Sequence, residues 1–445
     1  MAGTGSSRAT GGSTASATPS DTAGDETRAD GGSGGGSGGL MTRLRRLGPG
    51  LLVAAAFIGP GTVTTASVAG ADYAFDLVWA LVFSVFAAIV LQGMAARLGV
   101  VSREGLGEAL RSTFSNPAVR WGAAVLVVAA IGIGNAAFES GNIIGAALAL
   151  DEVFGGSQAL WAVVVAVVAF ALLGTGSYKV VERVLIVLVV LMGLVFLVTA
   201  VVVSPDLGDL AGGLVPTVPS GATLTVIALV GTTVVPYSLF PHASSVQDKW
   251  PESVPVDQAV AEAETDTRLS IGLGGLVTLA VLTTAAAAFG SSDQGIESAA
   301  DMASALEPVL GSGAKIFFAL GLLAAGVTSS ATAPLAAAYA TAGALGWERD
   351  LKDRRFQAVW AVIIVIGAVF AVVGSSPVAA IVFAQAANGV ILPIIAIFLL
   401  VVMNRSDLLG EYRNGTVGNV IGGIIVLLAI GLGANSLLSA FGVVG

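Results

Sequence analysis

The sequence predicts an all-α integral membrane protein of about eleven transmembrane helices, arranged as two five-helix halves of opposite topology with one helix added. Three observations carry this reading. The 445 residues are 55% hydrophobic and only 11% charged, where a soluble domain carries roughly 25% charged residues. Apolar runs of about 20 residues, the length that crosses a bilayer, alternate with short polar connections from Gly48 onward. The first and sixth runs are both interrupted near their middles by Pro and Gly, and an odd offset of five gives the two halves opposite directions.

Taken in order, residues 1–46 form a tail of Gly, Ser, Thr, Ala and Asp that ends in a Gly/Ser tract and the basic residues Arg43, Arg45 and Arg46. Such a composition buries too little apolar surface to offset the entropy of ordering, so a disordered cytoplasmic tail is expected. The transporter-like domain is expected over 47–445. Its segments run 48–70, 76–98, 120–150, 158–174 and 182–203, then 222–247, 266–290, 313–343, 356–374 and 378–403, and finally 416–441. With the N terminus inside, every Lys and Arg except Lys315 falls on the cytoplasmic side, while Asp151, Glu152, Asp206, Asp209, Asp293, Glu297, Asp301 and Glu307 lie outside. That asymmetry obeys the positive-inside rule and puts the C terminus outside.

Composition also excludes chemistry. Cysteine is absent and histidine occurs once, as His242, so thiolate sites, disulfides and multi-His metal sites are ruled out. No nucleophile–base pair can be assembled, which argues against an enzyme, and no bound cofactor is expected. A basic nucleic-acid footprint is missing at a net charge of −9. The partners implied are the lipid bilayer of the cell membrane and a small solute; the oligomeric state is left open.

The interruptions read IGPGT at 58–62 and VPYS at 235–238. A broken helix frees backbone groups that hydrocarbon cannot satisfy, and this is tolerated only where they are buried in protein or line a cavity. The breaks therefore mark the substrate site. The stretches GPGLLVAAAFIGPGTVTTASVAGADYAFDLVWAL (48–81), LQGMAARLGVVS (91–102), ESGNIIGAALAL (139–150), GLVPTVPSGATLTVIALVGTTVVPYSLFPHASSVQ (213–247), LGLLAAGVTSSATAPLA (320–336) and LLGEYRNGTVGNVIG (408–422) resemble, in order and spacing, the Nramp family. That resemblance implies a LeuT-like fold and proton-coupled import of divalent transition metals by alternating access.

The resemblance also shows where this chain departs. The family's Asp-Pro-Gly-Asn of helix 1 stands here as Gly59, Pro60, Gly61 and Thr62, and its Met-Pro-His-Asn of helix 6 as Val235, Pro236, Tyr237 and Ser238. A helix 10 Gln of the family falls on Ile391, and its two helix 3 acids fall on Glu139 and Asn142; His242 matches a family His. The anionic ligand and the soft sulfur are both gone.

What remains near the breaks is a hard, neutral set: Thr62, Thr64, Thr65, Thr233, Tyr237, Ser238 and the carbonyls of Gly59 and Thr232. Such oxygens suit Mg²⁺, Ca²⁺ or Mn²⁺. The candidate metal ligands are the Gly59 and Thr232 carbonyls, Thr62 and Ser238, with Val235, Tyr237, Gln385 and Asn388 lining the site. A same-fold transporter of a non-metal solute, or a non-transporting sensor, is the rival reading. Glu139, with Asn135 and Asn142 on one helical face, is an ionisable group inside an apolar segment and so a candidate for a proton path. Asn142, His242 and Glu182 are the other candidates for that path. Asp266 is expected to cap the start of segment 7.

Overall fold

A computed structural model of the chain describes residues 59–175, 179–290, 295–348, 350–374 and 376–440. The expected tail, 1–46, and the first half of segment 1 lie outside the described residues. The first described helix, α1 (Pro60–Tyr73), starts where Gly59 is extended at φ −109°, ψ −177°. Proline bars its predecessor from the helical region and is itself suited to the first helical position. The helix therefore starts at the expected interruption, with Gly59 extended ahead of it.

The helices that follow are α2 (Val78–Ser102), α3 (Pro117–Phe154), α4 (Gln158–Thr175) and α5 (Lys179–Val202). The sixth segment is split into α6a (Thr223–Thr233) and α6b (Leu239–Lys249), joined by a short 3₁₀ turn at Pro236–Ser238. After it come α7 (Val256–Phe289), α8 (Ala314–Leu345), α9 (Arg354–Val373), α10 (Pro377–Met403) and α11 (Thr416–Ala440). Among the described residues ten helices, α2 to α11 with the sixth taken through its break, are long and apolar enough to span a membrane. α1 covers the described half of the first expected segment.

Burial sorts them into centre and periphery. The apolar stretch of the sixth segment is 89% buried, against 22% for α4 and 28% for α5 and α11. The exposed side chains of α4, α5 and α11, such as Val167, Val187, Val190 and Leu427, are large hydrophobics that suit lipid. α3 packs on α8, α10 and α9, while α1 is held by α7, α10 and α6a. The two broken segments thus sit at the centre.

Glycine sets how closely that centre packs. A Cβ on Gly231 of α6a would stand 2.0 Å from the Gln385 carbonyl oxygen and 2.5 Å from the Gly389 nitrogen, both backbone atoms of α10. On Gly145 of α3 it would stand 2.2 Å from Pro60 Cβ. Small residues let backbones touch where no hydrophobic drive between helices operates in lipid.

Two local readings change. α7 starts at Val256, ten residues before the expected limit, because VDQAVAEAET is polar yet helix-forming and turns Ala259 and Ala263 into a small buried cluster with Val246 and Trp250. Asp266 is consequently in the third turn and caps nothing; its carboxylate pairs with Lys249 at the end of α6b, 3.8 Å away. The connections also hold short helices that apolar length cannot reveal, among them the amphipathic Leu106–Thr113 and Ala299–Ser304 with its Ser298/Asp301 capping box. The loops assigned to one side do meet: Lys315 pairs with Glu152. Across the opposite face Arg97 reaches Glu264 and Asn414, and Tyr412 reaches Asp257.

Candidate functional site

The breaks create three helix ends within one buried region. Val234 (φ −100°, ψ 72°) ends α6a, and Val235 is extended ahead of Pro236, again because a residue preceding proline avoids the helical well. The first turn of α1 and the start of α6b present N–H ends, and α6a presents carbonyls; these carry opposite partial charges. The two broken segments are tied across the gap by Thr62 Oγ1 and Thr232 Oγ1, 2.8 Å apart and 2% and 0% exposed. These two predicted residues are brought together although 170 positions separate them.

Gln385 is also brought in. Its amide occupies the space a side chain at Gly61 would need, with Nε2 2.2 Å from that Cβ position, and it lies against Gly141 of α3. Neither its Nε2 nor its Oε1 has a hydrogen-bond partner, and the residue is fully buried. Asn388 sits one turn further along α10, against Gly134, so it lines α3 away from the break. The Gly59 carbonyl accepts the Val63 N–H at 3.1 Å, which occupies one of its lone pairs with the first bond of α1. At the place of Gly59's absent side chain stand Ser329 Oγ, 2.9 Å away, and Asn142 Oδ1, 3.9 Å away.

Below the second break the polar groups form a chain. Gln92 of α2 donates from Nε2 to Ser238 Oγ at 2.5 Å, and Ser238 donates to the Val235 carbonyl at 2.7 Å. Gln92 Oε1 lies 2.7 Å from His242 Nδ1. Since that oxygen can only accept, Nδ1 carries the hydrogen, a tautomer assigned from the network. His242 Nε2 is left bare and buried. Tyr237 turns away from this chain and packs edge-on against Phe138, centroids 5.3 Å apart.

Glu139 is completely buried, with its methylene stem pressed on Gly367 of α9. Asn142 Nδ2 approaches Glu139 Oε2 at 3.4 Å, whereas Asn135 bonds the Ile131 carbonyl. The side chain of Glu182 lies outside the described residues. Gln92, Ser329 and Ser330 escaped the sequence reading as site residues. Their signal is present in it: a lone amide in an apolar α2, and a Ser pair midway along α8. Among the described residues no three His, Cys, Asp or Glu side chains gather as a metal cluster.

The sequence profile described as "Natural resistance-associated macrophage protein-like" matches residues 50–439. The divalent metal cation transporter MntH of Acidiphilium cryptum is 31% identical over 405 residues, covering 89% of this chain and 90% of that protein. MntH of Deinococcus radiodurans is 29% identical over 414 residues, covering 91% and 92%. Among solved structures, the Eremococcus coleocola manganese transporter in complex with an aromatic bis-isothiourea substituted compound superposes with a TM-score of 0.72 at 22% identity, covering 91% of this chain and 88% of that one. Mhp1, a nucleobase-cation-symport-1 family transporter, in a closed conformation with bromovinylhydantoin bound, gives 0.53 at 14% identity, covering 90% and 94%. At these identities the structures speak for the fold alone, and that fold is the LeuT-like one expected from the paired breaks.

Proposed function

The chain belongs to the Nramp family, and on that footing we propose that it is a secondary-active, proton-coupled carrier of divalent cations of the Mn, Fe or Mg class, working by alternating access. It is a multi-pass membrane transporter rather than an enzyme. The observation that carries the reading is the buried Thr62–Thr232 contact at the meeting of two broken helices. Carbonyl, hydroxyl and amide oxygens are the donors here, which favours hard ions over the soft metals a Met sulfur would select.

In this mechanism α1 and α6 rock about their breaks, and the half-helix ends hold the ion while it changes sides. Thr62, Ser238, the Gly59 and Thr232 carbonyls and the Gln385 amide are the candidate ligands. Glu139 and His242 would carry the coupling proton, with Asn142 hydrogen-bonding the Glu139 carboxyl and Gln92 holding the imidazole in place. The N terminus is assigned to the cytoplasm and the C terminus to the outside of the cell membrane, on the distribution of Lys and Arg among the connections.

The missing Asp and Met give weight to a second reading, the same carrier for a non-metal solute. Uptake into liposomes reconstituted with the purified protein separates the two, with Mn²⁺, Fe²⁺, Mg²⁺ and Ca²⁺ compared at several pH values. Saturable uptake of Mn²⁺ or Mg²⁺ that Thr62→Ala weakens supports the metal carrier. Absence of saturable uptake for all four ions refutes it in favour of the solute carrier.

A further inference from the structure

Away from both breaks, a groove of about 300 Å³ runs along the outer face of α2, with α7 on one side and the start of α11 on the other. Its floor is Phe86, Val90, Gly93 and Arg97 of α2, whose spacing of four, three and four residues puts them on one helical face. A Cβ at Gly93 would meet nothing within 4 Å, and Phe86 is 48% exposed. The floor is therefore open and apolar for most of its length. Only one end is charged.

At that end, the end assigned to the cytoplasm, Arg97 stands with Arg268 and Glu264 of α7. Glu264 serves both guanidinium groups, Arg97 at 3.9 Å and Arg268 at 2.8 Å. Arg97 also donates to Asn414, just ahead of α11, yet its buried Nε has no hydrogen-bond partner. Two cations against one carboxylate leave the groove one positive charge in excess. Arginines at the end of an apolar groove suit the phosphate of an anionic lipid, which the fork of a guanidinium binds well. Length agrees with this. From Phe86 to Arg97 is about 16 Å at 1.5 Å per residue, half of the roughly 30 Å hydrocarbon core, so an acyl chain beside α2 reaches mid-membrane as its phosphate reaches Arg97.

We infer that this groove binds an anionic phospholipid of the cytoplasmic leaflet, its phosphate on Arg97 and Arg268 and one acyl chain over Gly93 and Phe86. The lipid ties α2 to α7 and to the start of α11. Gln92, the neighbour of Gly93, holds Ser238 and His242 below the second break. α2 thus touches both the lipid and the polar chain of the broken segment, and anionic lipid content bears on the conformation of that segment. The site does not depend on which solute is carried. It can stand if divalent uptake fails, and fall if uptake succeeds.

The test is thermal unfolding of the purified full chain in a neutral detergent, titrated with phosphatidylglycerol. Phosphatidylcholine with the same acyl chains and glycerol 3-phosphate are the other two arms. A ligand that binds only the folded state raises stability with its concentration. A saturable rise in midpoint with phosphatidylglycerol is expected, smaller with phosphatidylcholine and absent with glycerol 3-phosphate. Arg268→Gln, at a side chain 64% exposed, should raise the half-saturating phosphatidylglycerol concentration about fivefold. Gly93→Phe, which fills the floor without meeting protein at its Cβ, should weaken binding at least as much. Equal responses to the two lipids overturn the anionic headgroup, and a glycerol 3-phosphate response equal to that of phosphatidylglycerol overturns the lipid as ligand. A half-saturating concentration unchanged in either folded variant overturns the groove as the place of binding.

Discussion

Replacing Gly59 by Asp returns to the first break the carboxylate that other Nramp members carry there, and its effect can be worked from the surroundings. The backbone at Gly59, φ −109° and ψ −177°, is extended and accepts any residue. A Cβ would meet Ser329 Oγ at 2.9 Å, while Ser329 Cβ at 3.8 Å and Asn142 Oδ1 at 3.9 Å are ordinary contacts. Turning one serine hydroxyl aside costs about 1 kcal/mol. Without an ion the new carboxylate is buried and unpaired, which destabilises the protein by several kcal/mol. With a divalent ion it becomes a charged ligand. A hydrogen bond to a charged group contributes about 1.5–3 kcal/mol, and that scale applied to the ion corresponds to a roughly 10- to 150-fold lower Kd at 1.4 kcal/mol per tenfold. Isothermal titration of Mn²⁺ into the purified variant, beside thermal unfolding with and without Mn²⁺, measures both halves. The variant should melt lower than the parent without metal and recover more than the parent with it. A folded Gly59→Asp protein whose Mn²⁺ affinity equals the parent's would refute the placement of the metal at this break.

Glu139→Gln should abolish the pH-driven part of reconstituted uptake while the protein still purifies as a single species; an unchanged pH profile removes Glu139 from the proton path. Thr62→Val and Thr232→Val, measured singly and together, should show a coupling energy of about 0.5–1.5 kcal/mol in thermal or denaturant unfolding, the net worth of one buried hydrogen bond, and strict additivity would deny the link across the breaks. Gly231→Ala should prevent folding or lower stability by about 3 kcal/mol or more, since its Cβ meets backbone atoms of α10 at 2.0 and 2.5 Å and rigid overpacking is costly; a midpoint close to the parent's would show that α6a and α10 part readily. The Asp257 carboxylate hydrogen-bonded to Tyr412 pushes that phenol up to about 12, so the folded state holds this proton more tightly than the unfolded chain. Its contribution is complete below about pH 10 and is lost as pH rises toward 12; Tyr412→Phe should remove one late-titrating phenolate from the absorbance titration, and an unaltered titration would deny the contact.

The membrane class, the segment count and the location of the two breaks were legible in the sequence because each rests on local rules. A run of about 20 apolar residues crosses a bilayer whatever its neighbours, and Pro60 and Pro236 impose extended backbone on Gly59 and Val235 without help from the rest of the fold. Thr62, Thr232, Gln385 and Glu139 were marked by polarity in apolar surroundings, and the first three are found at the break while Glu139 lies beside it. What these residues face was not legible. Gln92 meets Ser238 and His242 across 146 and 150 residues, and Ser329 faces Gly59 only because α8 packs on α3 and glycines such as Gly145 and Gly231 allow contact at backbone distance. The start of α7, and with it the pairing of Asp266 with Lys249 rather than a helix cap, likewise depended on tertiary contacts, because Ala259 and Ala263 give a polar stretch something to bury. Sequence determined which segments lie in the membrane and where their backbone must open, since those are properties of consecutive residues. Only the tertiary structure decided which side chains share the opening, since that depends on helices far apart in the chain coming close enough for single atoms to meet.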